Sequence, residues 1–374
     1  MITIVVLLIL AEVSINAIFS ENGIINRAKD TQNKMNEAEE KEKISICVMG
    51  ARLGDKGYQE LTAENLQSSI SSAFKDKVTN VISNGDDSFT VTIKDTEERK
   101  YTVDSDGTIS LGEYDKWDGK SSTEPTEKTT NEIHIYTTSE LKWLADQVNN
   151  EGNTFEGYTI YLENNLDLGA REKDGNWETT ENEEVKWTAI GKVNNTNMLK
   201  GIFEGNNHII KGVYVNDSTN FNGIFGNTNS ILNLTVKNSY IKGATCTGGI
   251  VGGYVKEIPQ NISLCYNSGT VTAKGKVGGI SGYLGAQEYA ATETKCYNKG
   301  EIKCTEGTIC GEIIGKMAYD STVTKCFYLN KNKSIFGVGA INEGGDLEEQ
   351  RKGAQPTNVD LKSYDEFIKW IENQ

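Results

Sequence analysis

Apolar residues run almost unbroken through the first nineteen positions, MITIVVLLILAEVSINAIF, where only Thr3, Glu12, Ser14 and Asn16 are polar. A membrane-spanning helix needs about 20 mostly apolar residues. The run therefore predicts an apolar membrane or filament helix over residues 1–20. A secretory signal would open on Lys or Arg, and this start has neither. The charged stretch 24–50 follows, with Ala28, Met35, Ala38 and Val48 set among the charges as in a helix. Gly23 interrupts the two halves, since glycine costs about 1 kcal/mol in a helix interior. Thr62 is an N-cap residue for a helix that places Leu66, Ile70 and Phe74 on one face.

The period then changes to two. Phe89, Val91 and Ile93 alternate with polar residues, as do Tyr101 and Val103, and the DSDG at 104–107 is a turn before a last strand, TISL. Asp104-x-Asp106-Gly107 resembles the front of a calcium loop, but position twelve is Asp115 and the flanks are strands, which favours a hairpin turn. Residues 21–115 are thus expected to form a small α+β module. The polar stretch 116–132 has no apolar period and reads as a linker.

Beyond it, Thr137 and Glu140 make a capping-box pattern ahead of the stripe Leu141, Leu144, Ala145 and Val148. Short β-branched strands ending in Gly or Asn turns come next. Four of them carry one phrase: GIFG at 223–226, GIVG at 249–252, GISG at 279–282 and a degenerate EIIG at 312–315. Their starts are 26, 30 and 33 residues apart. A second phrase interleaves: NLTVKNSYI (233–241), SLCYNSGTV (263–271), TKCYNKGEI (294–302) and TKCFYLN (324–330). Self-similarity at this period marks a repeat architecture, and repeats of two or three strands without a helix favour a parallel β-helix. On that reading Cys265, Cys296 and Cys326 form an inward ladder of small apolar residues. The glycines would supply positive φ at the corners, and Asn267 and Asn298 would stack their amides between coils. The array is expected over 133–340, followed by a Gly- and charge-rich loop and a C-terminal capping helix within 341–374, where Tyr364, Phe367, Ile368 and Ile371 share a face and Ser363 and Glu366 make a capping box. The expected fold class is mainly β: a right-handed parallel β-helix with capping helices, preceded by a long N-terminal helix and a small α+β head.

Composition narrows the function. The chain of 374 residues is long enough for two or three domains. A net charge of −15 argues against nucleic acid as a partner. Thirty-eight glycines against three prolines point to many turns. The seven cysteines contain no C-x-x-C pair, and their odd number leaves at least one thiol outside any intramolecular disulfide scheme. His134 and His208 are too few for most metal or triad chemistry, and His208 reads as a surface or turn residue.

Two resemblances extend these readings. The apolar run with SENGIINRAKDTQNKMNEAEEKEKI after it, and the helix-then-sheet order through residue 111, resemble the type IV pilin-like proteins of Gram-positive anaerobes. That resemblance implies an N-terminal helix held in the cytoplasmic membrane or packed among pilin-like subunits. The family's processing site, a basic residue and Gly ahead of the apolar run, is absent, which predicts a late start methionine or a truncated gene product. Gly223-Ile224-Phe225-Gly226, Gly249-Ile250-Val251-Gly252 and Gly279-Ile280-Ser281-Gly282 resemble the GLUG repeat, over about 133–330. It implies a right-handed β-helix of a bacterial surface or secreted protein.

Candidate chemistry is sparse. Gly269 to Gly275-Lys276 is one residue too long for a phosphate loop, and Val277 replaces the required hydroxyl. No H-E-x-x-H occurs, so no catalytic residue, cofactor residue or metal ligand is assigned. The acidic stretch EKDGNWETTENEE (172–184) reads as a solvated loop, with weak calcium or sugar binding as the alternative. Trp177, Trp187, Tyr254, Tyr283 and Tyr289 are candidate ligand contacts by stacking on sugar rings. The expected protein is a membrane-anchored, single-pass or otherwise surface-located or secreted adhesin that presents a β-helix face to a host or environmental glycan or protein. The alternative is a β-helix polysaccharide lyase or glycoside hydrolase acting on extracellular glycans.

Overall fold

The computed structural model describes residues 24–374 except 55–56, 85–87, 96–97, 106, 192–196, 255–257, 286–288, 306, 319, 330–333, 343–345 and 362–363. It is mainly β, with parallel sheets, and divides into two compact units, residues 1–113 and 114–374.

In the N-terminal unit a helix spans Ile24–Arg52 and a second spans Ala63–Ala73. Thr62 caps the second as expected, and Asn65 completes a reciprocal capping box with it. Four antiparallel strands follow in sequence order: Val78–Ser83, Phe89–Lys94, Glu98–Val103 and Ile109–Leu111. The first of them was not read from the sequence, because Val78, Thr79, Asn80, Val81, Ile82 and Ser83 lack a clean alternation. Asp104 opens a hairpin turn, accepting from Gly107 N at 2.8 Å and pairing with Thr108 across the hairpin. Ile44, Val48, Leu66, Ile70, Val91 and Tyr101 meet in the core.

The apolar segment 1–20 and the Gly23 interruption lie outside the described residues. Among those described, no helix is long and apolar enough to cross a membrane. This corrects the expected membrane and transmembrane-helix assignment. The described helix carries charge from Arg27 through Lys43 at nearly every turn, and each charge would be costly in hydrocarbon.

One of those charges is buried. Glu40 is 3% exposed and accepts from Lys77 Nζ at 2.6 Å, from Arg99 Nε and Nη2 at 2.8 Å each, and from Tyr101 Oη at 2.7 Å. It ties the long helix to the sheet.

In the C-terminal unit each sheet takes its strands from successive repeats, in parallel. An eight-stranded sheet runs in strict chain order from Asp115–Lys116 through Leu166–Asp167, Ile209–Lys211, Thr235–Lys237, Tyr266–Asn267, Tyr297–Asn298 and Cys326–Leu329 to Ala354–Thr357. A four-stranded sheet and a three-stranded sheet are built the same way, and in an eleven-stranded sheet two such columns of parallel strands meet on the long strand Phe225–Leu232. A middle repeat holds five short strands, not two or three: Asn261–Ser263, Tyr266–Asn267, Thr270–Ala273, Lys276–Gly278 and Ser281–Leu284.

Two segments differ from expectation. The stretch 116–132, read as a linker, belongs to this unit. Asp115 and Lys116 pair with Leu166 and Asp167, and Tyr114 and Trp117 are buried. Two aromatic anchors and backbone hydrogen bonds such as Trp117 N to Asp167 O at 2.9 Å order an otherwise polar chain. The supposed loop after 341 contains a helix, Leu347–Gly353, capped by Asp346, and a strand, Ala354–Thr357, that extends the eight-stranded sheet. The capping box at Ser363 lies outside the described residues, while the helix Tyr364–Ile371 does bury Phe367 and Ile371.

Burial alone would raise the Glu40 carboxyl, but the bonds from Arg99, Lys77 and Tyr101 outweigh it and hold the group at about 2 against an ordinary 4.5. A depressed carboxyl pKa contributes stability that is complete above about pH 4.5 and is lost as pH falls toward 2. Amide protection in strand Glu98–Val103, measured relative to the intrinsic exchange rate at each pH, should therefore fall on acidification through that window. Glu40→Gln should abolish this acid dependence and cost about 3–5 kcal/mol at neutral pH, the usual result of removing one partner of a buried ion pair. An unchanged exchange profile in the variant would refute the assignment.

Candidate ligand-binding face

The expected positive-φ role of the repeat glycines is not observed. Gly223, Gly249, Gly252, Gly279 and Gly282 all fall outside the positive-φ residues, as does Gly226. Their role is close approach. A Cβ on Gly223 would lie 2.6 Å from Ile250 O, one on Gly249 2.3 Å from Gly279 O, and one on Gly279 2.2 Å from Glu312 O. Gly252 would meet Phe221 C at 2.4 Å and Gly282 would meet Thr247 N at 2.4 Å. The backbone of an adjacent repeat occupies the space a side chain would need. In the degenerate EIIG phrase Glu312 takes the glycine position, and its Oε2 accepts from Asn298 Nδ2 at 3.3 Å.

The left-handed corners belong to other residues. Asn207, Asn233, Leu264, Lys295 and Lys325 have φ between 49° and 65°, each one position before a strand-phrase residue of the next rung. Four of them immediately precede Leu234, Cys265, Cys296 and Cys326, which turn inward and are fully buried. The cysteine ladder is thus present. Each thiol donates to the carbonyl two residues before it, at 3.4 Å for Cys265 and 3.5 Å for Cys296 and Cys326. Burial pushes the Cys296 thiol well up, and its neighbours Cys265 and Cys326 add to the shift. Asn267 Nδ2 donates to Asn298 Oδ1 at 3.0 Å, the amide stack expected between repeats. One disulfide, Cys304–Cys310, joins a pair that the sequence did not single out, and the free cysteines Cys47, Cys246, Cys265, Cys296 and Cys326 are buried.

Aromatic side chains also stack between parallel strands: His134 lies on Tyr161 with centroids 5.0 Å apart, and three further stacks lie in the repeats. Trp177, Tyr240 and Tyr214 form the first stack, with successive centroids 6.1 and 6.0 Å apart. The acidic stretch 172–184 closes over it. Glu183 accepts from Tyr214 Oη at 2.8 Å, while Glu178 accepts from Tyr240 Oη at 3.1 Å and Lys242 Nζ at 2.7 Å. Buried Asn182 pins the stretch through Arg171 O and Trp177 O at 2.7 Å each. The second stack is Tyr266 on Tyr297, centroids 5.5 Å apart. Phe367 covers it, and the hydroxyls donate to Leu361 O at 2.9 Å and Val359 O at 2.8 Å.

The third pair, Tyr254 and Tyr283, has centroids 5.2 Å apart and is half-buried. Lys276 Nζ lies 5.1 Å above the Tyr283 ring, and Tyr283 Oη accepts from Asn342 Nδ2 at 2.9 Å. Among the described residues no segment closes over these rings as the acidic stretch and the C-terminal helix close over the other two stacks. Such a pair offers π-faces, one cation and an amide to a ligand.

The five aromatics named from the sequence therefore divide. Tyr254 and Tyr283 come together, and Tyr289 is half-buried elsewhere in the same repeat. Trp177 and Trp187 are corrected as ligand contacts because they are 8% and 1% exposed. Trp187 packs edge-on against Trp117 at 5.7 Å and donates Nε1 to Ile224 O at 3.2 Å. The sequence reading missed Lys276 and Asn342, which only the fold brings to the pair. It also missed buried Glu293, although the aligned phrases place Glu293 against Ile262 and Val323. Burial pushes its carboxyl up to about 8, partly offset by the Ser281 hydroxyl.

No family model matches the chain, and no curated protein matches it. One solved structure, a Bacteroides ovatus protein provisionally described as an immunoglobulin A1 protease, is similar at 14% identity over 67% of this chain and 90% of the other, with a TM-score of 0.34. Likeness at that level carries no argument about fold or activity.

Gly279→Ala should lower stability by at least about 2 kcal/mol in equilibrium denaturation, since the added carbon overlaps backbone that cannot rotate away. A neutral substitution would contradict the close approach. Without reductant, the denatured chain should take alkylating label at Cys47, Cys246, Cys265, Cys296 and Cys326, and the native chain should resist it. Rapid native labelling of Cys265, Cys296 or Cys326 would contradict the inward ladder.

Proposed function

We propose that this protein is a non-enzymatic surface or secreted binding protein whose C-terminal unit is a right-handed parallel β-helix of the GLUG type. The face at Tyr254 and Tyr283 would bind its ligand. The parallel pairing of corresponding strands from successive repeats supports the β-helix reading, because stacking like segments rung upon rung is what a chain wound in coils produces. The single observation that carries the binding role is the half-buried Tyr254–Tyr283 pair beside Lys276, over which no described segment closes, whereas the tyrosine stacks on the four-stranded and eight-stranded sheets are sealed. Stacked rings on a rigid ladder suit the faces of sugar rings, with Lys276 and Asn342 supplying polar contacts to hydroxyls or acidic groups.

The N-terminal unit has the helix-then-sheet order of a pilin-like head, and its partners on this reading are pilin-like subunits. The glycan-cleaving alternative requires two carboxylates some 5–9 Å apart across a bond. The acids of 172–184 that face the aromatic stack are instead spent on Tyr214, Tyr240, Lys186 and Lys242.

The test is binding of the full chain to an array of neutral and uronate glycans, with Tyr254→Ala and Tyr283→Ala alongside. The proposal expects retained glycans whose binding falls at least tenfold in either variant while the melting temperature holds. Retention indifferent to both tyrosines would overturn the assigned face. Release of shorter glycans by the wild-type chain would overturn the non-enzymatic reading.

A further inference from the structure

Seven strands of the eleven-stranded sheet carry an inward ladder: Ile133, Ile160, Phe203, Ile231, Ile262, Glu293 and Val323. Six are apolar and one is a carboxylate, fully buried. A second ladder on the same sheet reads Phe225, Val251, Ser281, Ile314 and Val338. It too has one polar member, and it meets Glu293. Ser281 Oγ donates to Glu293 Oε2 at 2.5 Å. The other carboxylate oxygen, Oε1, is buried without a hydrogen-bond partner.

The carboxyl group stands beside the cysteine ladder. A Glu293 carboxylate oxygen, Cys296 Sγ and Cys326 Sγ all lie within 4.8 Å of one another. The two thiols come from consecutive repeats, brought together by the pairing of Tyr297 with Phe327. Aliphatic residues at positions 281 and 293, as in the neighbouring repeats, would fill this core without the desolvation cost of a half-satisfied carboxylate. A buried polar atom left unpaired in an otherwise apolar ladder calls for a ligand.

We propose that Glu293, Cys296 and Cys326 form a buried site for a thiophilic divalent cation of the zinc class, bound by two thiolates and one carboxylate oxygen. Zinc takes sulfur at about 2.3 Å and carboxylate oxygen at about 2.0–2.2 Å, so its ligand atoms sit roughly 3.5–4.5 Å apart. The observed spacing, within 4.8 Å, is close to that range. Thiolate ligands exclude magnesium and calcium, which prefer all-oxygen sites. The thiol protons leave to solvent as the ion binds. Because all three residues are buried, the ion enters while the repeats assemble, and it links two of them. Cys265, one rung further along, remains a packing residue.

The test uses the full chain, denatured under reducing conditions and refolded with one equivalent of Zn²⁺ or Co²⁺, then desalted and measured for bound metal. The expected result is about one ion per chain, with thiolate-to-cobalt charge-transfer absorption in the cobalt form. Cys326→Ala and Glu293→Gln should each lower retained metal at least tenfold, while Cys47→Ala, in the other unit, should leave it unchanged. Near-UV circular dichroism reports whether each variant folds. Should a variant fail to fold, the wild-type cobalt spectrum decides alone: thiolate bands support the site and their absence overturns it. Retention of metal unaffected in folded Cys326→Ala and Glu293→Gln also overturns it.

Discussion

Strands of two to four residues cannot hold a sheet by themselves, and in the C-terminal unit each one has only its counterparts in adjacent repeats to bond with. Backbone contact between consecutive repeats is the condition for every other feature. It requires that nothing stand between the chains at the phrase positions, which is why the repeats carry Gly249 and Gly279 where a carbon would sit 2.2–2.3 Å from a carbonyl oxygen. It also forces like side chains into columns. Cysteine falls on cysteine, asparagine on asparagine and tyrosine on tyrosine because the register is fixed by hydrogen bonds. The apolar columns gain from this by exclusion of water, and the amide column gains by mutual hydrogen bonding.

The columns also explain how surface and interior divide. Outward aromatics would stack in the same manner wherever they recur, and two of the three stacks in the repeats are sealed by polar segments that satisfy the tyrosine hydroxyls. Glu178 and Glu183 do this from the acidic stretch, and the carbonyls of Val359 and Leu361 do it from the C-terminal segment. Negative charge in the first case is therefore directed inward at hydroxyls and Lys242, a use of carboxylates that composition alone disguises as a solvated loop.

Much of the architecture was legible in the chain because repetition is itself a long-range signal. The spacing of GIVG and GISG with the CYN phrases located the strands, the cysteine ladder and the asparagine stack. What could not be read were features set by contact between distant segments. Trp177 and Trp187 sit in polar sequence yet are buried by elements contributed from elsewhere, including Trp117, which lay in an apparent linker. Positive φ was expected at the glycines on propensity, but fell to Leu264, Lys295 and Lys325 because corner geometry is imposed by the turn into the core. The glycines were needed for clearance instead. Of the binding face, Tyr254 and Tyr283 were named from sequence, while Lys276 reaches it from another strand and Asn342 from just past the strand Val338–Ile341.

The covered Tyr266–Tyr297 stack has a consequence for how such a chain can change over evolution. Two rungs of tyrosine meet one short helix, Tyr364–Ile371, and two backbone carbonyls just before it. Duplicating a whole repeat between Cys265 and Cys326 would preserve strand pairing but move the end of the array by one strand spacing, about 4.8 Å. The C-terminal segment would then meet the wrong rung. Repeat number and strap length are therefore inherited together, so the array can grow on this side only if its fastening is redesigned at the same time.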